Sequence, residues 1–293
     1  MRQLSPLVSV EDLSQALAHP AGAAEIVDIE ESHPLPAAPA HSNRLATDSR
    51  HITTALLLAA GAGSRLRNGS PKCLARVSGV PILGRLVSSL IEQGFERLVV
   101  VVGYRGDEIR DYLDVNASGL EIHFIDSRHH ATTNNIYSLW LARDSMKAPF
   151  VLIESDLVFD SRLLGLMRIS DRIAVAKLRP HMHGTTVSID AAGRVDAFRV
   201  GALDGLDLPY KTVNIYSLSM SIWNEVTRRL DRHISAGRVH TYYESVFAEM
   251  AIDGLLPLEA VNFDDGRWSE IDSPNDLVAA QHLFLDPPRM SGA

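Results

Sequence analysis

From Thr54 onward the chain alternates short, continuous apolar runs with longer stretches in which apolar residues recur every three or four positions. The segments Ala55 to Ala60, Leu98 to Val102, Glu121 to Ile125, Phe150 to Glu154 and Ile173 to Lys177 read as strands. Leu98-Val99-Val100-Val101-Val102 has no polar alternation, the mark of a strand buried on both faces. Pro81 to Gln93, Gly106 to Leu113, Thr133 to Arg143 and Ser161 to Met167 read as helices. Strands in alternation with helices predict a parallel sheet covered on both sides. Beyond Lys177 the pattern turns antiparallel, with Thr185 to Asp190 and Arg194 to Arg199 flanking the hairpin signal Ala191-Ala192-Gly193. One further helix is predicted from Thr241 to Ile252. Another begins at Ser273-Pro274-Asn275-Asp276, where serine caps and proline occupies the first turn. The expected fold class is α/β: a Rossmann-like, three-layer arrangement on a mixed, mostly parallel sheet, with a small antiparallel subdomain.

Residues 1–50 read differently. Glu30-Glu31-Ser32-His33-Pro34 and Pro36-Ala37-Ala38-Pro39-Ala40 carry little apolar periodicity, and Val10 to Leu17 is the one short amphipathic piece. The organisation expected is an N-terminal extension over 1–50 with no assigned chemistry, a single domain over 51–285 and a tail over 286–293. With 293 residues, 46% of them hydrophobic, the chain has ample material for one large core. A net charge of −8 leaves no global field to attract nucleic acid or an anionic membrane, so neither is an expected partner. The lone Cys73 excludes an internal disulfide, Met1 to Pro6 lacks the apolar run of a signal peptide, and no stretch is long enough to insert in a membrane. A soluble, cytoplasmic protein is expected, with a homodimer left open.

The strand Ala55 to Ala60 runs into Gly61-Ala62-Gly63-Ser64-Arg65-Leu66 and then Pro71-Lys72. Glycines at the end of a buried strand let backbone N–H groups approach a ligand, and the arginine and lysine add positive charge for phosphates. A Walker loop would need a Gly-Lys pair where Arg65-Leu66 stands, and a dinucleotide fingerprint would need a small residue in place of Leu66. The string Leu-Ala-Ala-Gly-x-Gly-Ser-Arg-Leu followed by Pro-Lys instead resembles the signature loop of nucleotidyltransferases that join a nucleoside triphosphate to a phosphorylated small molecule.

Two acidic segments complete the pattern. Val151-Leu152-Ile153-Glu154-Ser155-Asp156 is an apolar strand ending in carboxylates, at the carboxyl end where open α/β sheets bind ligands. Taken alone, Asp156 reads equally well as a Mg²⁺ ligand or as the cap of a following helix. In Trp268-Ser269-Glu270-Ile271-Asp272, alternation puts Glu270 and Asp272 on one face and Ile271 toward the core. Thr132 to Trp140 contains Asn134 and Asn135, whose amides suit a pyrimidine edge, while capping accounts for one of them.

The Asn-Asn-Ile-Tyr-Ser-Leu string, the Glu-Ser-Asp-Leu-Val-Phe strand end and the Trp-x-Glu-Ile-Asp cluster together resemble the cytidylyltransferases that act on phosphocholine, 2-aminoethylphosphonate and related compounds, over about Thr54 to Phe284. The resemblance implies a nucleotide-diphospho-sugar transferase type of fold, with the antiparallel subdomain on the acceptor side. It implies CTP and a small phosphate or phosphonate acceptor as substrates, Mg²⁺ as cofactor held by Asp156 and Asp272, and Arg65, Lys72 and Asp156 as catalytic residues. Ala60, Gly61, Ala62, Gly63, Ser64, Asn134 and Asn135 are the expected nucleotide-binding residues. Lys211, Tyr137 and Glu244 are those expected at the acceptor, with Lys211 on its phosphate and Glu244 on an amine. His183 stands where related chains often have an aspartate, and His181 with His183 lacks a third ligand, so neither is assigned a metal. A sugar-1-phosphate nucleotidyltransferase is the alternative activity, and a nucleotide-binding regulatory module without catalysis the third reading.

Overall fold

A computed structural model describes residues 51–285 except 62, 64–68, 181 and 202–207. The expected N-terminal extension, the Val10 to Leu17 piece and the C-terminal tail lie outside the described residues. In chain order the elements are β1 (Thr54–Ala59), β2 (Arg76–Val77), β3 (Val80–Pro81), α1 (Ile82–Glu92), β4 (Arg97–Val102), α2 (Gly106–Asn116), β5 (Glu121–Asp126), α3 (Asn135–Leu141), β6 (Phe150–Glu154), β7 (Leu157–Phe159) and α4 (Ser161–Leu166). There follow β8 (Arg172–Lys177), β9 (Thr186–Ile189), β10 (Val195–Arg199), β11 (Tyr210–Leu218), α5 (Met220–Ser235), α6 (Glu244–Ile252), β12 (Glu259–Asn262), β13 (Trp268–Glu270) and α7 (Pro274–Leu283).

Nine strands form the central sheet, in the order β10-β9-β11-β6-β1-β4-β5, with β8 and β12 joined through β11. β5, β4, β1 and β6 are parallel neighbours, and β11 enters antiparallel beside β6. Alternation along β1 separates two cores. Ala55, Leu57 and Ala59 pack with Leu83, Leu86 and Leu90 of α1, Ile109 and Leu113 of α2, and Leu163 and Leu164 of α4. Leu56 and Leu58 face the other way, onto Ile136 and Leu139 of α3, Trp223, Val226 and Leu230 of α5, and Val246, Phe247 and Met250 of α6. Each fully buried leucine contributes roughly 1.5–3 kcal/mol, so three layers are the arrangement that covers a sheet apolar on both faces.

The mixed, mostly parallel α/β architecture agrees with the sequence reading, and so does the β9–β10 hairpin. Three differences have local causes. α5, which the sequence reading did not draw, is a 16-residue helix capped by Ser219 and seated on Ile222, Trp223, Val226 and Leu230. The stretch from Tyr210 to Leu218, left unassigned, is the longest strand of the sheet. After Asp156 comes the short strand β7 instead of a helix, which removes the capping role for that aspartate.

Candidate active site

Parallel pairing of β1 with β6 sets Leu58 beside Glu154, so the loops that follow both strands leave the sheet on the same side. Gly61 and Gly63 continue from one, Ser155 and Asp156 from the other. Between β13 and β7, pairing sets Glu270 opposite Leu157, and the Ile271 N–H donates to the Asp156 carbonyl at 2.9 Å. Asp272 thereby arrives beside Asp156. The ladder is tied at its far end, where Asp160 accepts from the Arg267 backbone N–H at 3.0 Å and from its guanidinium Nε at 3.0 Å. Asp276, in the first turn of α7, accepts from the Asp272 N–H at 3.0 Å and forms a capping box with Ser273.

Lys72 joins these parts. Its ammonium donates to Asp156 at 2.7 Å and to Asp272 at 2.6 Å, contacts spanning 84 and 200 residues of chain. Burial pulls the Lys72 pKa down, but the Asp156 carboxylate first and Asp272 after it outweigh that and hold the ammonium above its ordinary range. The glycine loop lies directly on this lysine: Gly63 has φ of 56°, and a Cβ there would sit 2.7 Å from Lys72 Cβ. Among the described residues, the buried Oδ1 of Asp156 has no hydrogen-bond partner, a carboxylate oxygen left available to a cation.

These groups open into a cavity of about 530 Å³. The lining carries Ala60, Gly61, Gly63 and Lys72 together with Glu154, Lys211, Glu244 and Glu270. Buried Glu244 stands there with half-buried Glu154 and Glu270, and the buried cation Lys211 pairs with Glu270 at 3.1 Å. Burial, with Asp156 and Glu244 adding to it, pushes the Glu154 carboxyl well above the usual range. Burial pushes Glu244 up to about 7, against its own backbone N–H and Lys211.

Lys72, Asp156, Asp272, Ala60, Gly61, Gly63, Asn134, Asn135, Lys211 and Glu244 all line this one cavity, as does His183. Arg65, Ala62, Ser64 and His181 lie outside the described residues. The Asn134 side chain caps α3 by accepting the Asn135 N–H at 2.7 Å and donates to the His240 carbonyl at 3.3 Å. Asn135 donates to Glu154 at 3.1 Å and accepts the Tyr243 N–H at 3.0 Å. Both amides are bonded to the protein from positions in the cavity lining. Tyr137 is absent from the lining and packs against His129 and Trp140; Tyr242, half exposed, is the tyrosine at the cavity.

The sequence reading gave no site role to Glu154, Glu270 or Asn214. The first two stood inside motifs already singled out, next to the aspartates that took the assignment. Asn214 left one signal, an amide in the otherwise apolar run Val213-Asn214-Ile215-Tyr216.

Residues 55–180 match the MobA-like NTP transferase domain. A CMP-5'-(3-aminopropyl)phosphonate synthase of Streptomyces rubellomurinus is 32% identical over 250 residues, covering 80% of this chain and 39% of that protein. A 2-aminoethylphosphonate cytidylyltransferase of Lancefieldella rimae is 26% identical over 243 residues, covering 80% of this chain and 94% of that protein. The chain spans less than two thirds of several curated relatives it matches, 39%, 57% and 53% of their lengths. Among solved structures, the CTP:phosphocholine cytidylyltransferase of Streptococcus pneumoniae superposes with a TM-score of 0.67 at 18% identity, covering 80% of this chain and all of that one, a likeness of fold. The glycine loop packed on Lys72 lies inside residues 55–180, the segment that matches the MobA-like NTP transferase domain.

Proposed function

We propose that this chain transfers CMP from CTP to a small phosphate or phosphonate bearing an amine, with release of pyrophosphate. The observation that carries the reading is the Lys72 ammonium, held by Asp156 and Asp272 against the glycine loop at the carboxyl ends of β1 and β6. Relatives named for aminoalkylphosphonates support the choice of CTP and of the acceptor. An acceptor oxygen attacks the α-phosphorus in line, the bond to the bridging oxygen of the β-phosphate breaks, and pyrophosphate carries away the electron pair. No protein nucleophile is needed. Lys72 stays charged through the neutral range and presents fixed positive charge to the triphosphate, with Arg65 proposed beside it.

Among the described residues no group of three or more His, Cys, Asp or Glu is placed to hold a metal by itself. Two hard carboxylates, one with an unpartnered buried oxygen, suit a Mg²⁺ ion whose remaining ligands are phosphate and water. Asp156 and Asp272 would hold it, and its charge would offset that of the triphosphate. In the same cavity Lys211 is proposed to meet the acceptor's phosphonate and Glu244 its ammonium. Such an enzyme works where CTP is made, in the cytoplasm; among the described residues no helix is long and apolar enough to cross a membrane.

Pyrophosphate release, measured with CTP, UTP, ATP and GTP against 2-aminoethylphosphonate, phosphocholine and glucose 1-phosphate, tests the reading. Turnover is expected with CTP and an amine-bearing acceptor, falling about 100- to 1,000-fold in Asp156→Asn. Turnover confined to UTP and a sugar phosphate, or an unimpaired Asp156→Asn, would refute it.

A further inference from the structure

Lys211 and Asn214 are three positions apart in β11, a spacing that sends side chains to opposite faces of a regular strand. Both nevertheless line the cavity. The cause is at Asn214, whose φ is 58°, where the register of β11 against β8 shifts between Thr212 and Tyr216. One residue in the left-handed region bulges the strand and turns the next side chain over. Apart from glycine, asparagine is among the residues that tolerate this conformation best. Val213 and Ile215 on either side are buried, at 1% and 0% exposure, and anchor the distorted segment.

The amide has two neighbours. Its Oδ1 accepts from the Thr212 hydroxyl at 2.8 Å, which orients the group so that Nδ2 donates to Glu270 Oε1 at 3.3 Å. The second oxygen of Glu270 takes the Lys211 ammonium at 3.1 Å. Two side chains of one strand therefore grip both oxygens of one carboxylate. Lys211 spends a second N–H on the Thr212 carbonyl at 3.1 Å. Among the described residues one of its three donors is left, and Nζ lies close to Gly184, where a Cβ would come within 3.1 Å of it.

We propose that Asn214 is a positioning residue for the acceptor: it fixes Glu270, which holds Lys211 oriented with one N–H directed at the acceptor's anionic group. The inference rests on the transfer reaction proposed above. Released from Asn214, Glu270 swings, Lys211 follows it, and acceptor affinity is lost while the triphosphate end of the cavity is untouched. A residue kept only for its backbone conformation would be replaced by glycine without loss.

The test compares Asn214→Gly, Glu270→Gln and the double variant, by kinetics with CTP and 2-aminoethylphosphonate and by urea unfolding without substrate. Asn214→Gly is expected to raise the acceptor KM on the order of 10- to 100-fold, the scale of a hydrogen bond to a charged group, leaving the KM for CTP unchanged. The double variant is expected to be no worse than the poorer single one, because the amide acts through Glu270. An unchanged acceptor KM in Asn214→Gly, equal effects on both substrates, or additive losses would each overturn the proposal. If the wild-type protein turns over no acceptor, the transfer reading fails, and the unfolding cycle still decides whether Asn214 and Glu270 act as one unit.

Discussion

Glu244 offers the most direct physical test of the cavity's electrostatics. It stands in the first turn of α6, 5% exposed, and its Oε2 has no hydrogen-bond partner among the described residues. Burial raises its pKa to about 7 from an ordinary 4.5, with Glu270 adding to the shift and Lys211 opposing it. A carboxylate whose folded pKa lies above its unfolded one stabilises the fold below the unfolded value and loses that contribution as pH rises through the folded value. The gap between the two values, at about 1.4 kcal/mol per pH unit, corresponds to about 3 kcal/mol. Folding stability should therefore decline between about pH 5 and pH 7 in the wild-type protein and decline much less in Glu244→Gln. Urea denaturation from pH 4.5 to pH 8.5 measures both, and the difference between the curves isolates this group. Curves that stay parallel across the range would refute the reasoning. An acceptor ammonium supplies the missing partner to the ionised form, so acceptor binding should strengthen as pH rises through about 7 and lose that dependence in Glu244→Gln.

Two further substitutions test how the site is assembled. Gly63→Ala places a methyl group 2.7 Å from Lys72 Cβ at φ of 56°; turnover should fall at least 10-fold, with a stability cost of about 1 kcal/mol by thermal unfolding. Asp160→Ala cuts the tie between β7 and β13 and should cost about 1–2 kcal/mol. Burial raises the Asp160 pKa, but the Arg267 hydrogen bonds outweigh it and lower it overall. The stability from this pair is therefore present above about pH 4 and lost as pH falls through the lowered value, and urea titration at pH 3 and pH 6 should show a larger gap between wild type and variant at pH 6.

The strands and the loop were legible because their signals are local. Leu98 to Val102 is apolar without interruption because it is buried on both faces, and the glycines after Ala60 mark the place where backbone approaches Lys72. The pairing of Glu270 and Asp272 on one face followed from the period of a strand. Asn134 and Asn135 show where such reading stops. Their sequence fits a pyrimidine edge as well as it fits a wall, and the neighbours that hold them, His240, Tyr243 and Glu154, come from segments the local pattern does not name. Which face of α3 meets the cavity likewise depends on how that helix seats on the sheet, and Tyr137 packs against His129 and Trp140.

What the sequence determined by itself is the α/β class, the glycine loop and the residue types the chemistry needs, because periodicity and turn composition report burial within a few residues. The tertiary structure alone decided that Lys72 lies between Asp156 and Asp272, through the order of β1 and β6 and the ladder of β13 on β7. It alone decided that Asn214 turns to Glu270, through a register shift that β11 acquires against β8. Contacts spanning 84 and 200 residues are set by how distant strands pair, and nothing in the local pattern of either segment encodes its partner.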